Sequence, residues 1–253
     1  MNKPRMSNRR RVTGDVKVKR PEPLAAPDRN AGNRAKGRTA EAASQGNPGA
    51  SSCPLLIIIS APSGGGKTTV CQQLLAARPD MTRAVTCTTR APRTGEKDGV
   101  DYYFLDATSF LKRVQAGNFL EHATVYGQSY GVLKNEVLGK LRQGKDVLLN
   151  VDVQGAATIH ACAEHDAELR RALVMVFLTP PSLGVLEGRL KKRGTDAAIV
   201  IRKRLGVARQ EIAQWKNFDY LLISTTMAED LRRMLAIVEA EKMRSARTQA
   251  PEF

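Results

Sequence analysis

An unbroken apolar run, Leu55-Leu56-Ile57-Ile58-Ile59-Ser60, feeds into a glycine-rich loop, Ala61-Pro62-Ser63-Gly64-Gly65-Gly66-Lys67-Thr68, and then into Thr69–Arg78, which reads as a helix. The order dictates a buried strand, a tight loop and a helix in succession. Glycines lack a Cβ, so the loop backbone can curl and present several N–H groups to one anion. The helix that follows aims its positive dipole end at the same point. Lys67 has the reach to touch terminal phosphates, and the Thr68 hydroxyl is a hard oxygen suited to Mg²⁺. Residues 61–69 therefore predict a nucleoside-triphosphate site. Ala61 stands where such loops usually carry their first glycine.

The rest of the chain supplies a sheet for that strand. Asp146–Asp152, Leu173–Leu178 and Tyr220–Ser224 are further buried-type strands, the first ending in an acid. Between them lie helical stretches from Gln154 onward, over Leu183–Lys191, over Ala197–Gln214 and over Ala228–Met243. Strands alternating with helices predict an α/β fold, a parallel sheet flanked by helices on both faces. Its ligand site is expected beyond the carboxyl ends of the strands. Trp215 and the Leu, Ile and Val positions of the last helix are expected in the core.

Residues from about 86 to 131 interrupt this alternation. Short strands are predicted over 84–88, 101–105 and 119–126, with a short helix over 109–114 and a helix over 132–142 ended by Gly144. The loop Thr89–Gly99 holds Arg90 and Arg93, with Thr86 upstream and Tyr102 downstream. Two arginines on a loop can fork a phosphate, and a tyrosine hydroxyl can complete the cage.

Charge and cysteines set bounds on the partners. The chain of 253 residues has a formal net charge of +15. Residues 1–52 contribute 12 Lys and Arg against 4 Asp and Glu, and almost no branched or aromatic apolar residues. Such a segment cannot offset its own ordering entropy and is expected to be a disordered basic tail. Its Arg9-Arg10-Arg11 and Lys17-Val18-Lys19-Arg20 clusters leave a nucleic-acid-binding arm or organelle targeting open as minor alternatives, and Asp15, Glu22 and Asp28 count against the latter. The remaining moderate excess of positive charge suits an enzyme that holds two polyanions and does not argue for specific nucleic-acid binding. Cys53, Cys71, Cys87 and Cys162 show no metal-ligand spacing and read as reduced thiols of a cytoplasmic protein. No apolar run approaches the ~20 residues of a transmembrane helix.

Thr88-Thr89-Arg90-Ala91-Pro92-Arg93-Thr94-Gly95-Glu96, followed by Gly99 and Asp101-Tyr102-Tyr103-Phe104, resembles the GMP-binding signature of guanylate kinases. Further segments match in the same order: Phe119–Ala123, Tyr130-Gly131, Val151–Gly155, Pro180–Ser182 and Arg189–Thr195. The resemblance covers roughly residues 55–243. It implies a P-loop NTPase core of residues 53–85, 145–180 and 215–247, a β-rich GMP-binding insertion of about 86–131 and a helical lid of about 184–212, together a domain over 53–247. It also implies Mg²⁺-dependent transfer of a phosphoryl group from ATP to GMP, and to dGMP, in purine nucleotide metabolism.

The same resemblance carries roles to particular positions. Glu121 would accept from guanine N1–H and the exocyclic amine, and Thr86 would donate to O6. Arg90, Arg93, Tyr102 and Tyr130 would hold the GMP phosphate, with Glu96 ordering the arginine loop. Asp152 would orient the acceptor or the hydrated metal. Lys67, with Arg189 and Arg193 of the lid, would stabilise the charge in transit, and Lys203-Arg204 would add cations. Three positions depart from the family. Val132 replaces a hydroxyl residue, Asn150 replaces an acid, and Ser224-Thr225 replace an Asn-Asp pair. Val132 and Asn150 are also met in ribose 1,5-bisphosphate phosphokinases, which keeps a sugar-phosphate acceptor open as an alternative. A non-catalytic guanylate kinase-like binding module is the other, although Gly66-Lys67-Thr68 is intact. Oligomeric state is not readable from the sequence, and His122 and His160 receive no role.

Overall fold

A computed structural model describes residues 52–125, 127–192 and 197–249. The basic N-terminal segment expected to be disordered, and Arg193, lie outside the described residues. The apolar run forms β1 (Leu56–Ser60), the glycine loop follows, and α1 spans Lys67–Ala77. β2 (Met81–Arg83), β7 (Asp146–Asn150), β8 (Leu173–Thr179) and β9 (Tyr220–Ile223) join β1 in one parallel sheet, in the order β2-β7-β1-β8-β9.

Alternation along β1 explains why the run has no polar residue before Ser60. Leu56 and Ile58 enter a core with Val147, Leu149 and residues of α3 (Lys134–Arg142), α4 (Val153–Glu164) and α5 (Ala167–Ala172). Ile57 and Ile59 enter a second core with Val70 and Leu74 of α1 and with Met234 and Val238 of α8 (Met227–Lys242). Each such side chain contributes about 1.5–3 kcal/mol by leaving water, so covering both faces is the main stabilising term.

The interruption folds as its own sheet, in the order β4-β3-β6-β5, formed by β3 (Thr86–Thr88), β4 (Tyr102–Phe104), β5 (Phe119–Val125) and β6 (Gln128–Leu133). α2 (Ala107–Gln115) covers it, Phe110 stacking on Phe119 with ring centroids 4.6 Å apart. A third compact region consists of α6 (Leu183–Lys192) and α7 (Ala198–Ile212), packed through Leu186, Leu190, Ile201 and Ala208.

Several expectations need correction. Val132 does not begin a helix; it pairs with Thr86 and Glu121 in β6, and α3 starts at Lys134. Strand pairing with β3 and β5 overrides the helical pattern that continues from Val132 into α3. Residues 84–88 divide, Ala84-Val85 bridging core and insertion before β3. β2 and α5 were not anticipated, both being too short for periodicity to show. β7 ends at Asn150, and Asp152 is the N-cap of α4, its Oδ1 accepting from Gly155 N–H at 2.8 Å. Trp215 is 39% exposed in a single 3-10 turn between α7 and β9, with the Lys216 ammonium 5.8 Å from its ring. A lone aromatic in a connector carries no periodic signal of burial.

The rim of the sheet opposite the glycine loop is pinned by Asp146, which is 1% exposed. Its Oδ1 accepts from Leu55 N–H at 2.9 Å, while Lys242 Nζ lies 3.0 Å and an Arg78 nitrogen 3.7 Å from Oδ2. One carboxylate thus ties β1, the end of α1 and the end of α8 to β7. Asp146→Ala leaves the buried Leu55 N–H without its acceptor and removes the carboxylate facing Lys242, while Arg78 keeps Asp80 and Glu239, and it is expected to cost about 2–4 kcal/mol in urea unfolding. A loss under about 0.5 kcal/mol would remove Asp146 from this role.

Candidate active site

The loop after β1 has the shape that an anion requires. Gly64 and Gly66 adopt φ of +89° and +100°, and Gly66 caps α1 from that left-handed conformation. Residues with a Cβ are strained there, so the glycines are dictated by the curl. Ala61–Thr69, Asp152 and Glu211 line a cavity of about 340 Å³ around this loop. Lys67 Nζ donates to the carbonyl of Val151 at 2.9 Å, joining the loop after β1 to the segment after β7. Burial pulls the Lys67 ammonium below its usual pKa, while Asp152, Cys71 and Glu211 oppose that shift. Nearby Cys71 is pushed up to about 12 by burial, so it stays an uncharged thiol.

A second cavity, of about 390 Å³, lies between the core sheet and the insertion. Thr86, Glu121, Tyr130, Val132, Asn150 and Asp152 are among its lining residues, and Thr68 reaches it from α1. Glu121 and Asp152 converge on Gly155: a Cβ there would fall 3.3 Å from Glu121 Oε2 and 3.5 Å from Asp152 Oδ1. Glycine at this position leaves room for both carboxylates. Burial, with the Asp152 charge adding to it, raises the Glu121 carboxyl to about 7. His122, the next residue of β5, turns to the opposite face, where its ring meets Phe110 and Phe119 edge-on and tilted.

Arg90, Arg93, Glu96 and Tyr102 do not line this cavity; they stand at its rim. Tyr102 meets Tyr130 edge to face, with centroids 6.4 Å apart, and the Arg90 guanidinium lies 5.4 Å from the Tyr102 ring. Both Glu96 oxygens accept from Arg90 Nη2 at 2.9 Å, and Oε2 also accepts from Arg93 N–H at 2.7 Å. These contacts hold the Glu96 carboxyl below its usual range, the Arg93 N–H first and Arg90 next among the lowering causes. The Arg93 side chain is exposed.

On the other flank, Arg189 of α6 donates to Gly65 O at 3.3 Å and to Ser224 Oγ at 3.2 Å. Ser224 Oγ donates in turn to the buried Asp230 at 2.7 Å, which also accepts from Thr225 N–H at 3.0 Å. Gly64, Gly66, Thr69, Arg189, Ser224 and Asp230 contribute to a third cavity of about 350 Å³. The three cavities therefore run in a row. The third shares Gly64, Gly66 and Thr69 with the phosphate loop, and the loop cavity shares Thr68 and Asp152 with the second. Sequence reasoning missed Arg83 and Gln72 of the second cavity, Asp230 of the third and Glu211. Arg83, Asp230 and Glu211 sit on elements with no motif of their own, Gln72 lies beyond the motif end of α1, and only Ser224-Thr225 after β9 pointed toward Asp230.

Comparison with known proteins decides the family. Residues 54–241 match the family model described as Guanylate kinase. The chain belongs to the guanylate kinase family. It is 40% identical over 193 residues to the guanylate kinase of Maricaulis maris, covering 76% of this chain and 86% of that one. Against the guanylate kinase of Coxiella burnetii it is 42% identical over 188 residues, 74% of this chain and 88% of the relative. The crystal structure of guanylate kinase from Anaplasma phagocytophilum superposes with a TM-score of 0.58 at 31% identity, over 78% of this chain and 90% of that one. The protein is thus a kinase of the nucleoside monophosphate class, with an α/β P-loop fold. No helix among the described residues is long and apolar enough to cross a membrane.

The Glu96 contacts make a prediction about the arginine loop. Glu96→Ala removes the acceptor that gathers the Arg90 side chain and the Arg93 backbone, so the loop should open more often. Limited trypsin digestion is expected to cut after Arg90 and Arg93 at least about fivefold faster, with global unfolding changed by less than about 1 kcal/mol. Unchanged cleavage would show that the loop is held by other contacts.

Proposed function

We propose that this protein transfers the γ-phosphoryl group of ATP to GMP, forming ADP and GDP, and that dGMP serves as an alternative acceptor. The observation that carries this reading is the pair Thr68 and Asp152, which line both the phosphate-loop cavity and the cavity holding Glu121. A donor phosphate in one and an acceptor phosphate in the other would meet at that shared wall.

The residues divide the work by charge. ATP places its phosphates in the loop of residues 61–69, and its base and ribose toward Ser224, Thr225 and Asp230. GMP places its base against Glu121 and Thr86, and its phosphate toward Tyr130, Tyr102, Arg90 and Arg93. A GMP phosphate oxygen attacks the γ-phosphorus in line; the bond from that phosphorus to the β-bridging oxygen breaks, and ADP leaves. The charge spreading over the transferred group is stabilised by Lys67, Arg189, Arg193 and the loop N–H groups. Two donors available to a cation are the Thr68 hydroxyl and the exposed Asp152 carboxylate, both hard oxygens. Among the described residues no group of three or more His, Cys, Asp or Glu forms a metal cage. That set fits Mg²⁺, which binds few protein ligands and fills its shell with phosphates and water. Bound there, Mg²⁺ would neutralise phosphate charge.

Base choice follows from Glu121. A half-buried carboxylate accepts from the adjacent N1–H and amine of guanine, and adenine offers no such donor pair. Ribose 1,5-bisphosphate would leave Glu121 without a partner. A coupled assay with GMP, AMP and ribose 1,5-bisphosphate is the test: kcat/KM for GMP should exceed both others by at least about 10³-fold. Higher activity with the sugar bisphosphate, or none with any acceptor, would overturn the proposal.

The Glu121 carboxyl, raised to about 7, adds a pH dependence. Guanine selects the carboxylate. Affinity is therefore constant above the carboxyl's pKa and falls as pH drops below it, by roughly tenfold per unit. Between pH 8 and pH 6, calorimetry should show GMP binding weaken by about tenfold. Glu121→Gln should bind weakly throughout and lack this step, which separates it from titration of the GMP phosphate. An identical pH profile in the variant would assign the dependence elsewhere.

A further inference from the structure

Glu211 is the one lining residue of the phosphate-loop cavity that the mechanism above does not use. It comes from the last turn of α7, and its side chain faces the loop residues, Lys67 and Asp152. Its Oε2 is buried and makes no hydrogen bond. The Ser63 N–H and the Lys67 ammonium favour its charged form, yet burial, with Asp152 adding to it, holds the carboxyl above its ordinary range. Lid packing does not ask for this residue, because the contact between α6 and α7 is made by Leu186, Leu190, Ile201 and Ala208. A half-buried carboxylate with one orphaned oxygen is costly, and here it is set against a loop whose N–H groups and lysine are arranged to receive anions.

We propose that Glu211 makes binding of the nucleoside triphosphate conditional on a divalent cation. Its negative charge opposes a bare polyphosphate in the cavity. A cation arriving with the nucleotide cancels part of that charge, and where it lies nearer to Glu211 than the phosphates do it turns the repulsion into attraction, so the same carboxylate comes to favour the complex. The protein thereby rejects free nucleotide, which carries too much charge for transfer, and admits the cation-loaded form. Glu211 is a positioning residue in this scheme; it takes no part in the bond exchange. The inference rests on the reading of residues 61–69 as the ATP site.

The test is ATP binding by calorimetry on the full chain at low ionic strength, in EDTA and in excess Mg²⁺. Glu211→Gln keeps the size of the side chain and an acceptor for the Ser63 N–H, and removes the charge. In EDTA the variant should bind ATP roughly three- to tenfold tighter than the unsubstituted protein. In Mg²⁺ it should bind no tighter, so the enhancement by the cation shrinks. Glu211→Asp, which keeps the charge, should retain most of that enhancement. A purely structural role would move both affinities together. Equal shifts in the two media, or no shift in either, would overturn the proposal. Failure of the unsubstituted protein to bind ATP in Mg²⁺ would overturn the ATP site itself, and this inference with it.

Discussion

The parallel pairing of β1 with β7, which sets Ile59 opposite Asn150, brings the loop after one strand beside the residues after the other. Lys67 spans that gap to the Val151 carbonyl, and Asp152 caps α4 one residue further on. A one-residue slip of either strand would exchange the side chains that the two cores receive, and close packing on both faces opposes that exchange. Burial of β1 on both sides thus fixes the register, and the register sets the distance between the glycine loop and the cavity that holds Glu121. The stability of the sheet and the geometry of the site rest on the same pairs of residues.

Electrostatics in the cleft pulls against that order. Glu121, Asp152 and Glu211 face cavities that the proposed function assigns to two polyanions, while Lys67 is partly desolvated among them. Three carboxylates so placed would weaken nucleotide binding unless each had a particular partner. Under the proposed function, guanine donors would answer Glu121, helix α4 and a cation would answer Asp152, and cation-loaded triphosphate would answer Glu211. Specificity then arises from what each carboxylate rejects as much as from what it accepts.

The sequence made the core legible where periodicity and loop chemistry were strong. The run Leu55–Ser60 and the glycines after it predicted strand, curl and helix, and the structure places β1, the left-handed Gly66 and α1 there. It failed where tertiary pairing decided, as at Val132, or where elements were as short as β2 and α5. At the site, motif residues such as Lys67, Glu121 and Asp152 could be singled out because each lies in a recognisable segment. Glu211 could not, since a glutamate on a helix carries no mark of what it faces until α7 is folded back on the loop. The rim position of Arg90, Arg93 and Tyr102 was likewise invisible, because it depends on how β4 and β6 flank β3.

The central claim is that a desolvated Glu121 reads guanine through two adjacent donors. IMP tests this directly, since it keeps N1–H and O6 and lacks only the exocyclic amine. Comparing kcat/KM for GMP and IMP in the unsubstituted protein and in Glu121→Gln isolates that one hydrogen bond. The account predicts that IMP is poorer than GMP by roughly 10–100-fold in the unsubstituted protein, and that the gap narrows severalfold in Glu121→Gln. Equal kcat/KM for the two nucleotides, or the same gap in the variant, would contradict it.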